Sequence, residues 1–315
     1  MAAPLVVIVG TTASGKSELG LRLAQRLGGE IVSADSRQVY RGLDIGSGKV
    51  SPAERRLVPH HLLDVADVRE RFTVAEYQRL ALVAIEDVWA RGRLPLLVGG
   101  SGLYVRAVVD NPAYPAVPPR PELRAQLERT PLPDLVAQLQ VVDPAAAETI
   151  DVKNPRRVVR ALEVTLASGI PFSAQQRLHP TRRVQAVQLG LTWPRDELRR
   201  RIRQRLAARL QARPSMLDET HDLLAAGVPA ERLIELGLEY RFLTRHLLGQ
   251  LSHTEMQTQL EAAIYRFARR QLTWFRRDPR IIWLEPTRAL EQAEALVRAF
   301  LAGQDGAPQL ASGIQ

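Results

Sequence analysis

The sequence predicts an α/β fold, a parallel sheet flanked by helices and interrupted by a mostly helical insertion. Three observations predict it. Apolar runs of strand length alternate with segments of helical period over the first hundred residues, as in a parallel sheet with crossover helices. The first run feeds directly into a glycine-rich turn that opens a helix. From residue 111 to about 180 the texture changes to crowded prolines and short amphipathic helices.

The elements follow in order. Strand-like runs fall at residues 5–9, 30–33, 94–98, 184–191 and 281–284, and helical patterns at 17–27 and 74–91, the second with Ala75, Leu82, Ile85 and Trp89 on one face. Pro112, Pro115, Pro118, Pro119 and Pro121 open the insertion, and short helices are expected at 122–128, 135–139 and 156–167. From Arg195 the chain reads as helical to about Gly249, then from 254 to 277 and from 290 to 302. Residues 1–110 with 184–302 therefore form the core, 111–183 the insertion, and 303–315 have the composition of a frayed tail.

A chain of 315 residues, 45% hydrophobic and 24% charged, has ample length for a core, and no apolar stretch approaches a membrane span. The complete lack of cysteine excludes disulfides, thiolate zinc sites, iron–sulfur clusters and a cysteine nucleophile. The N-terminal run has no basic leader and reads as a core strand, so the expected location is cytoplasmic. Lys+Arg 43 against Asp+Glu 34 leaves a net charge of +9, which suits a polyanionic partner. All of those cations except Lys16, Lys49 and Lys153 are arginines.

Gly10, Thr11, Thr12, Ala13, Ser14, Gly15, Lys16 and Ser17 match G-x-x-x-x-G-K-[ST] between a strand and a helix, the context that makes the core P-loop NTPase-like. Backbone N–H groups in such a loop wrap a diphosphate at a helix N-terminus, Lys16 adds a point charge, and the Ser17 hydroxyl can ligate Mg²⁺. The loop does not say which diphosphate ester it holds. A nucleotide hydrolase or kinase of this type usually has a second carboxylate at a strand end to hold Mg²⁺. The strand at 94–98 ends instead in Gly99-Gly100-Ser101-Gly102, with no acid, which weakens an ATPase reading. That turn sits where open α/β sheets bind ligands.

The second strand ends in Ser33-Ala34-Asp35-Ser36-Arg37-Gln38-Val39-Tyr40, continuing through Arg41-Gly42-Leu43-Asp44-Ile45-Gly46-Ser47-Gly48-Lys49. Together with the glycine loop, His60-His61-Leu62-Leu63-Asp64, Val142-Asp143-Pro144, Asn154-Pro155-Arg156-Arg157-Val158-Val159-Arg160 and Arg269-Arg270-Gln271-Leu272-Thr273-Trp274-Phe275-Arg276, this run resembles the tRNA dimethylallyltransferases, over roughly residues 5 to 285. The resemblance implies transfer of a dimethylallyl group from dimethylallyl diphosphate to N6 of adenosine 37 of tRNA, beside the anticodon. It implies a loop repurposed for the prenyl diphosphate, with Mg²⁺ as cofactor, and it favours the bacterial form, since no zinc-finger extension follows.

An adenine N6 is a poor nucleophile that must lose a proton, and an allylic diphosphate departs once its charge is neutralised. Asp35 is the expected base, with Lys16, Ser17 and, by resemblance, Arg205 stabilising the leaving group. On the helix that carries it, Leu198, Ile202, Leu206 and Leu210 form an apolar stripe beside Arg201 and Arg205. The resemblance implies tRNA contacts at Asp35, Ser36, Arg37, Gln38, Ser101, Arg124, Arg156, Arg157, Arg160, Arg269, Arg270, Gln271, Thr273 and Arg276. Positions 266, 269, 270, 273 and 276 share one helical side, with Ile264, Phe267, Ala268, Gln271 and Phe275 on another. The insertion is expected to clasp the anticodon stem-loop while the target base flips into the core. His60, His61 and His253 lack metal-ligand spacing and are assigned structural roles.

The sequence departs from the family pattern at Thr11, Ser17, Ser101 and Gly48, and more seriously at Glu239, where a glycine is commoner before Tyr-Arg. A P-loop small-molecule or nucleoside kinase, and an RNA-binding protein regulated by ATP, are the competing readings. A monomer is expected.

Overall fold

The computed structural model describes residues 3–115, 117–118, 120–176 and 184–303. The chain divides into two units, Met1–Val109 with Arg183–Gln315, and Asp110–Arg182. In the first, the elements run β1 (Ala3–Gly10), α1 (Lys16–Leu27), β2 (Gly29–Ser33), α2 (Pro52–Leu57), β3 (His60–His61), α3 (Val74–Ala90), β4 (Leu94–Gly99) and α4 (Gly102–Val109). The second holds α5 (Pro121–Glu128), α6 (Leu132–Val142), α7 (Pro144–Thr149), α8 (Pro155–Ser168) and α9 (Phe172–Gln176). The first unit then resumes with β5 (Val184–Leu191), α10 (Arg195–Gln211), α11 (Met216–Ala225), α12 (Ala230–Leu236), α13 (Leu238–Leu247), α14 (His253–Phe275), β6 (Ile281–Trp283) and α15 (Ala289–Leu301). The expected tail, from residue 304 onward, lies outside the described residues, as do Pro119 and the end of the insertion.

All six strands are parallel, in the order β3-β2-β4-β1-β5-β6. β1 is central, with Val7 opposite Leu97 of β4 and Gln188 of β5, and covered on both faces, so it reads as an unbroken apolar run and not as an alternation. On one face Val6, Ile8, Leu96 and Val98 pack under α1 and α15 through Leu23, Ala24, Ala293 and Val297. Gly20 lets α1 approach, because a Cβ there would lie 2.9 Å from Val98 Cγ2. On the other face Val7, Val9 and Leu97 pack under α3 and α4, through Tyr77, Ile85, Tyr104 and Val108. A third cluster joins α10, α11, α13 and α14 through Leu198, Ile202, Leu206, Met216, Leu243, Leu260 and Ile264. Each such fully buried Leu, Ile or Val contributes about 1.5–3 kcal/mol of transfer free energy.

Two expectations are corrected, and two features of the sheet are additional to them. In α3 the buried face is Tyr77, Ala81, Leu82, Ile85 and Val88; Ala75 and Trp89 are exposed, Trp89 at 47%, because the 75-82-89 line runs along the edge of the stripe and its outer members fall in the first and last turns. β3 is a two-residue strand of histidines with no apolar run to announce it. Residues 195–249 break into four helices, with Pro214, Pro229 and Gly237 between them. β2, which ends two residues before Asp35, is not the neighbour of β1, since β4 lies between them.

Candidate active site

Nothing caps the N-terminus of α1. Its N-cap is Gly15, with φ 95° and no side-chain acceptor, so the first-turn N–H groups remain available to an anion. Ala13 is also left-handed, with φ 61°, and Ser14 N–H closes the turn onto Thr11 O at 3.2 Å. Gly10 is obligatory here, since a Cβ would fall 2.2 Å from Leu191 O and 2.8 Å from Ser14 Oγ. That Ser14 hydroxyl is buried without a hydrogen-bond partner inside the loop.

The loop is held from outside by side chains far along the chain. Gln271 Oε1 accepts from Thr12 N–H at 2.8 Å while its Nε2 donates to Gly100 O at 2.8 Å, tying the cradle to the turn after β4. From α10, Arg201 Nε donates to Ala13 O at 3.0 Å and stacks 4.6 Å over Trp193, whose indole N–H donates to Ser14 O at 2.9 Å. One turn on, the Arg205 guanidinium donates to Thr12 Oγ1. Lys16 Nζ folds back to Thr11 O at 3.3 Å and passes 3.5 Å from where a Gly100 Cβ would stand. Ser17 is exposed at the second position of α1.

Cations dominate the cradle. Burial lowers the Lys16 ammonium to about 8, Arg205 and Arg209 push the same way, and Asp35 opposes them. Arg205 is lowered to about 10, again by burial first and then by Arg209, with Glu239 and Asp35 opposing. Burial also lowers Arg37, against Asp35 and Glu239, and raises the Glu239 carboxyl, against Arg209 and Arg205. Lys16, Arg37, Arg205 and Arg209 thus face Asp35 and Glu239, a cationic surplus suited to a multiply charged anion.

The acid loop is built on the strand end. Ser101 N–H donates to Ala34 O, Ser36 N–H donates to Ser101 Oγ at 3.0 Å, and Arg37 N–H donates to Asp35 Oδ1 at 2.9 Å. Asp35 Oδ2 has no hydrogen-bond partner among the described residues. Gln38 uses its amide inside the chain, accepting from Ser33 Oγ and donating to Gly48 O, and so braces the loop. The next segment is clamped by Glu219, whose carboxylate accepts from the N–H groups of Asp44, Ile45 and Gly46 and from Tyr240 Oη. Buried Lys49 pairs with Asp44 and Asp64, and Arg209 donates to Gly46 O at 3.3 Å.

On α14, Arg266, Arg269, Arg270, Thr273 and Arg276 are all exposed on one face, and Gln271 is buried on the other, with its amide on the loop and the turn after β4. Within the second unit, Arg156 and Arg157 are exposed at the start of α8, whereas Arg124 and Arg160 both pair with Glu163, at 2.5 and 2.8 Å. Glu163 is fully buried and also accepts from Arg120 N–H. Burial acts to raise its pKa, and these hydrogen bonds outweigh it and leave the carboxyl lowered.

No group of three His, Cys, Asp or Glu able to hold a metal exists among the described residues. His61 pairs with Glu30 at 2.7 Å, His60 Nδ1 meets Val58 O, and His253 packs edge-on to His246. Sequence reasoning missed the bracing roles of Gln271, Arg201, Trp193, Arg209 and Glu219. Two of them left a signal: Gln271, by its helical phase beside Ile264, Ala268 and Phe275, and Arg201, by its place one turn before Arg205.

A parallel sheet whose central strand opens through an uncapped glycine loop onto a cationic cradle defines a P-loop-type phosphate-binding protein. The chain belongs to the IPP transferase family, whose profile matches residues 38–278. It is 45% identical to the tRNA dimethylallyltransferase of Roseiflexus sp. (strain RS-1), over 95% of this chain and 99% of that protein. It is 47% identical to the tRNA dimethylallyltransferase of Streptomyces coelicolor, over 89% of each. Among solved structures it is similar to the tRNA isopentenylpyrophosphate transferase of Bacillus halodurans, 36% identical over 96% of each chain with a TM-score of 0.69.

Proposed function

We propose that this protein transfers the dimethylallyl group of dimethylallyl diphosphate to N6 of adenosine 37 in tRNA, next to the anticodon, releasing diphosphate. The observation that carries the reading is the pairing of an uncapped, cation-rich diphosphate cradle with a carboxylate that keeps one oxygen free, in the loop just after β2. The N6–C bond forms as the allylic C–O bond breaks, the N6 proton passes to Asp35 Oδ2, and the electron pair leaves with the diphosphate. Lys16, Arg205 and the N–H groups of the first turn of α1 neutralise the charge that builds there.

Mg²⁺ fits this chain as a companion of the diphosphate, because Ser17 is exposed at the start of α1 while no carboxylate cluster among the described residues is built to hold the ion alone. When bound, the ion supplies further charge neutralisation to the leaving group. No described helix is long and apolar enough to cross a membrane, and we place the reaction in the cytoplasm, carried out by a monomer.

Purified protein, labelled dimethylallyl diphosphate, Mg²⁺ and unmodified tRNA in ATP-free buffer test the proposal. Mass mapping is expected to find one dimethylallyl group on adenosine 37. Transfer that requires ATP hydrolysis, or no transfer at all, would overturn it.

A further inference from the structure

A groove of about 700 Å³ runs between α10 and α14, outside the cradle. Ile202 and Ala262 line it, with Arg199 and Arg203 from α10 and Tyr265 and Arg266 from α14. Glu261 is its only acid, and Arg203 neutralises it at 3.1 Å. Arg199 has no carboxylate partner among the described residues; its guanidinium carbon lies 4.5 Å from the Tyr265 ring centroid. Beside the groove, Arg195 Nε donates to Tyr265 Oη at 3.0 Å. A guanidinium packed over an aromatic ring and unpaired with a carboxylate keeps N–H groups for phosphate contacts. Arg266 also lines an adjoining pocket of about 360 Å³ with Arg269, Arg270 and Arg277, so the basic band is continuous along α14. From Gln271, at the cradle, to Thr254, at the far end of the groove, α14 extends about 25 Å at 1.5 Å per residue.

We propose that this groove is a second RNA-backbone track, in which Arg195 and Arg199, set on Tyr265, hold phosphodiesters of the bound tRNA away from the target nucleotide. The proposal rests on the tRNA-substrate reading. Charge decides the occupant: surplus arginine with an aromatic platform fits a polyanionic strand, and neither an apolar ligand nor a basic partner would find complementary groups there.

The test measures binding of full-length tRNA against salt for the wild type, Arg195→Ala/Arg199→Ala and Arg195→Lys/Arg199→Lys. Loss of two phosphate contacts lowers the slope of log affinity against log salt by nearly two, so between 50 and 200 mM salt the wild type should lose about tenfold more affinity than the alanine variant. The lysine variant should restore the slope, which separates charge from packing. An unchanged slope in the alanine variant, beside a lowered one in Arg269→Ala, would overturn the groove and leave the proposed activity standing. A wild type that neither binds tRNA nor transfers to it would overturn both.

Discussion

Lys16 makes a prediction about protons. Its ammonium ordinarily titrates near 10.5, and burial beside Arg205 and Arg209 brings it to about 8. At 1.36 kcal/mol per pKa unit, the fold destabilises the charged form by roughly 3 kcal/mol. The sign follows from linkage. A cation with a depressed folded pKa weighs against stability below about pH 8, and that burden fades as pH rises toward 10.5. A diphosphate in the cradle reverses the bias by favouring the ammonium. At pH 8 the free protein carries about half a proton on Lys16 and the complex close to a whole one, so binding takes up about 0.5 proton; at pH 6 the site is already charged and uptake vanishes. Calorimetric titration with diphosphate and Mg²⁺, in two buffers of different ionisation enthalpy, reads this directly. Lys16→Arg serves as the reference, because arginine keeps the charge without titrating and the ligand's own proton exchange is common to both proteins. Equal uptake by the wild type and Lys16→Arg at pH 8 would refute the depressed Lys16.

Three further perturbations probe other parts of the molecule. Asp35→Asn keeps the shape and the contact with Arg37 N–H but loses the base, so single-turnover transfer should fall about a hundred- to ten-thousandfold with tRNA affinity held within a few fold; near-normal turnover would remove Asp35 from the chemistry. Gln271→Leu orphans Thr12 N–H and Gly100 O, each worth about 1–3 kcal/mol when left unpaired in a buried place. A denaturant midpoint equal to that of the wild type would deny the brace. Glu163→Gln leaves Arg124 and Arg160 without their shared carboxylate, and the roughly 3–5 kcal/mol expected for breaking a buried pair should speed hydrogen exchange of the α8 amides by about a hundred- to several-thousandfold. Unaltered protection there would show that the two arginines are free for other partners.

What the chain discloses locally, it disclosed well. The apolar run of β1, the two glycines and the lysine lie within one strand, one turn and one helix, so their geometry is written in consecutive residues. Sheet order is not. Which parallel strand lies next to β1 depends on where each crossover lands, and β4, eighty residues away, takes the place that β2 would have by proximity in sequence. The charge balance of the cradle is equally non-local. Gln271 follows the arginines of α14 and so inherits their assignment, yet a one-residue step on a helix turns a side chain by about 100°, from the exposed face onto the loop. Arg160 and Glu163 stand three residues apart and their pairing was readable, but the burial that makes Glu163 a shared anchor for Arg124 and Arg120 N–H was not. Glu239 stood out only as a departure from the family pattern. In the fold it is a half-buried carboxylate facing Arg205 and Arg209, two cations that also depress Lys16. A glycine at that position could supply no negative charge, so here Glu239 partly offsets the cations around the cradle and moderates the charge that an arriving diphosphate meets.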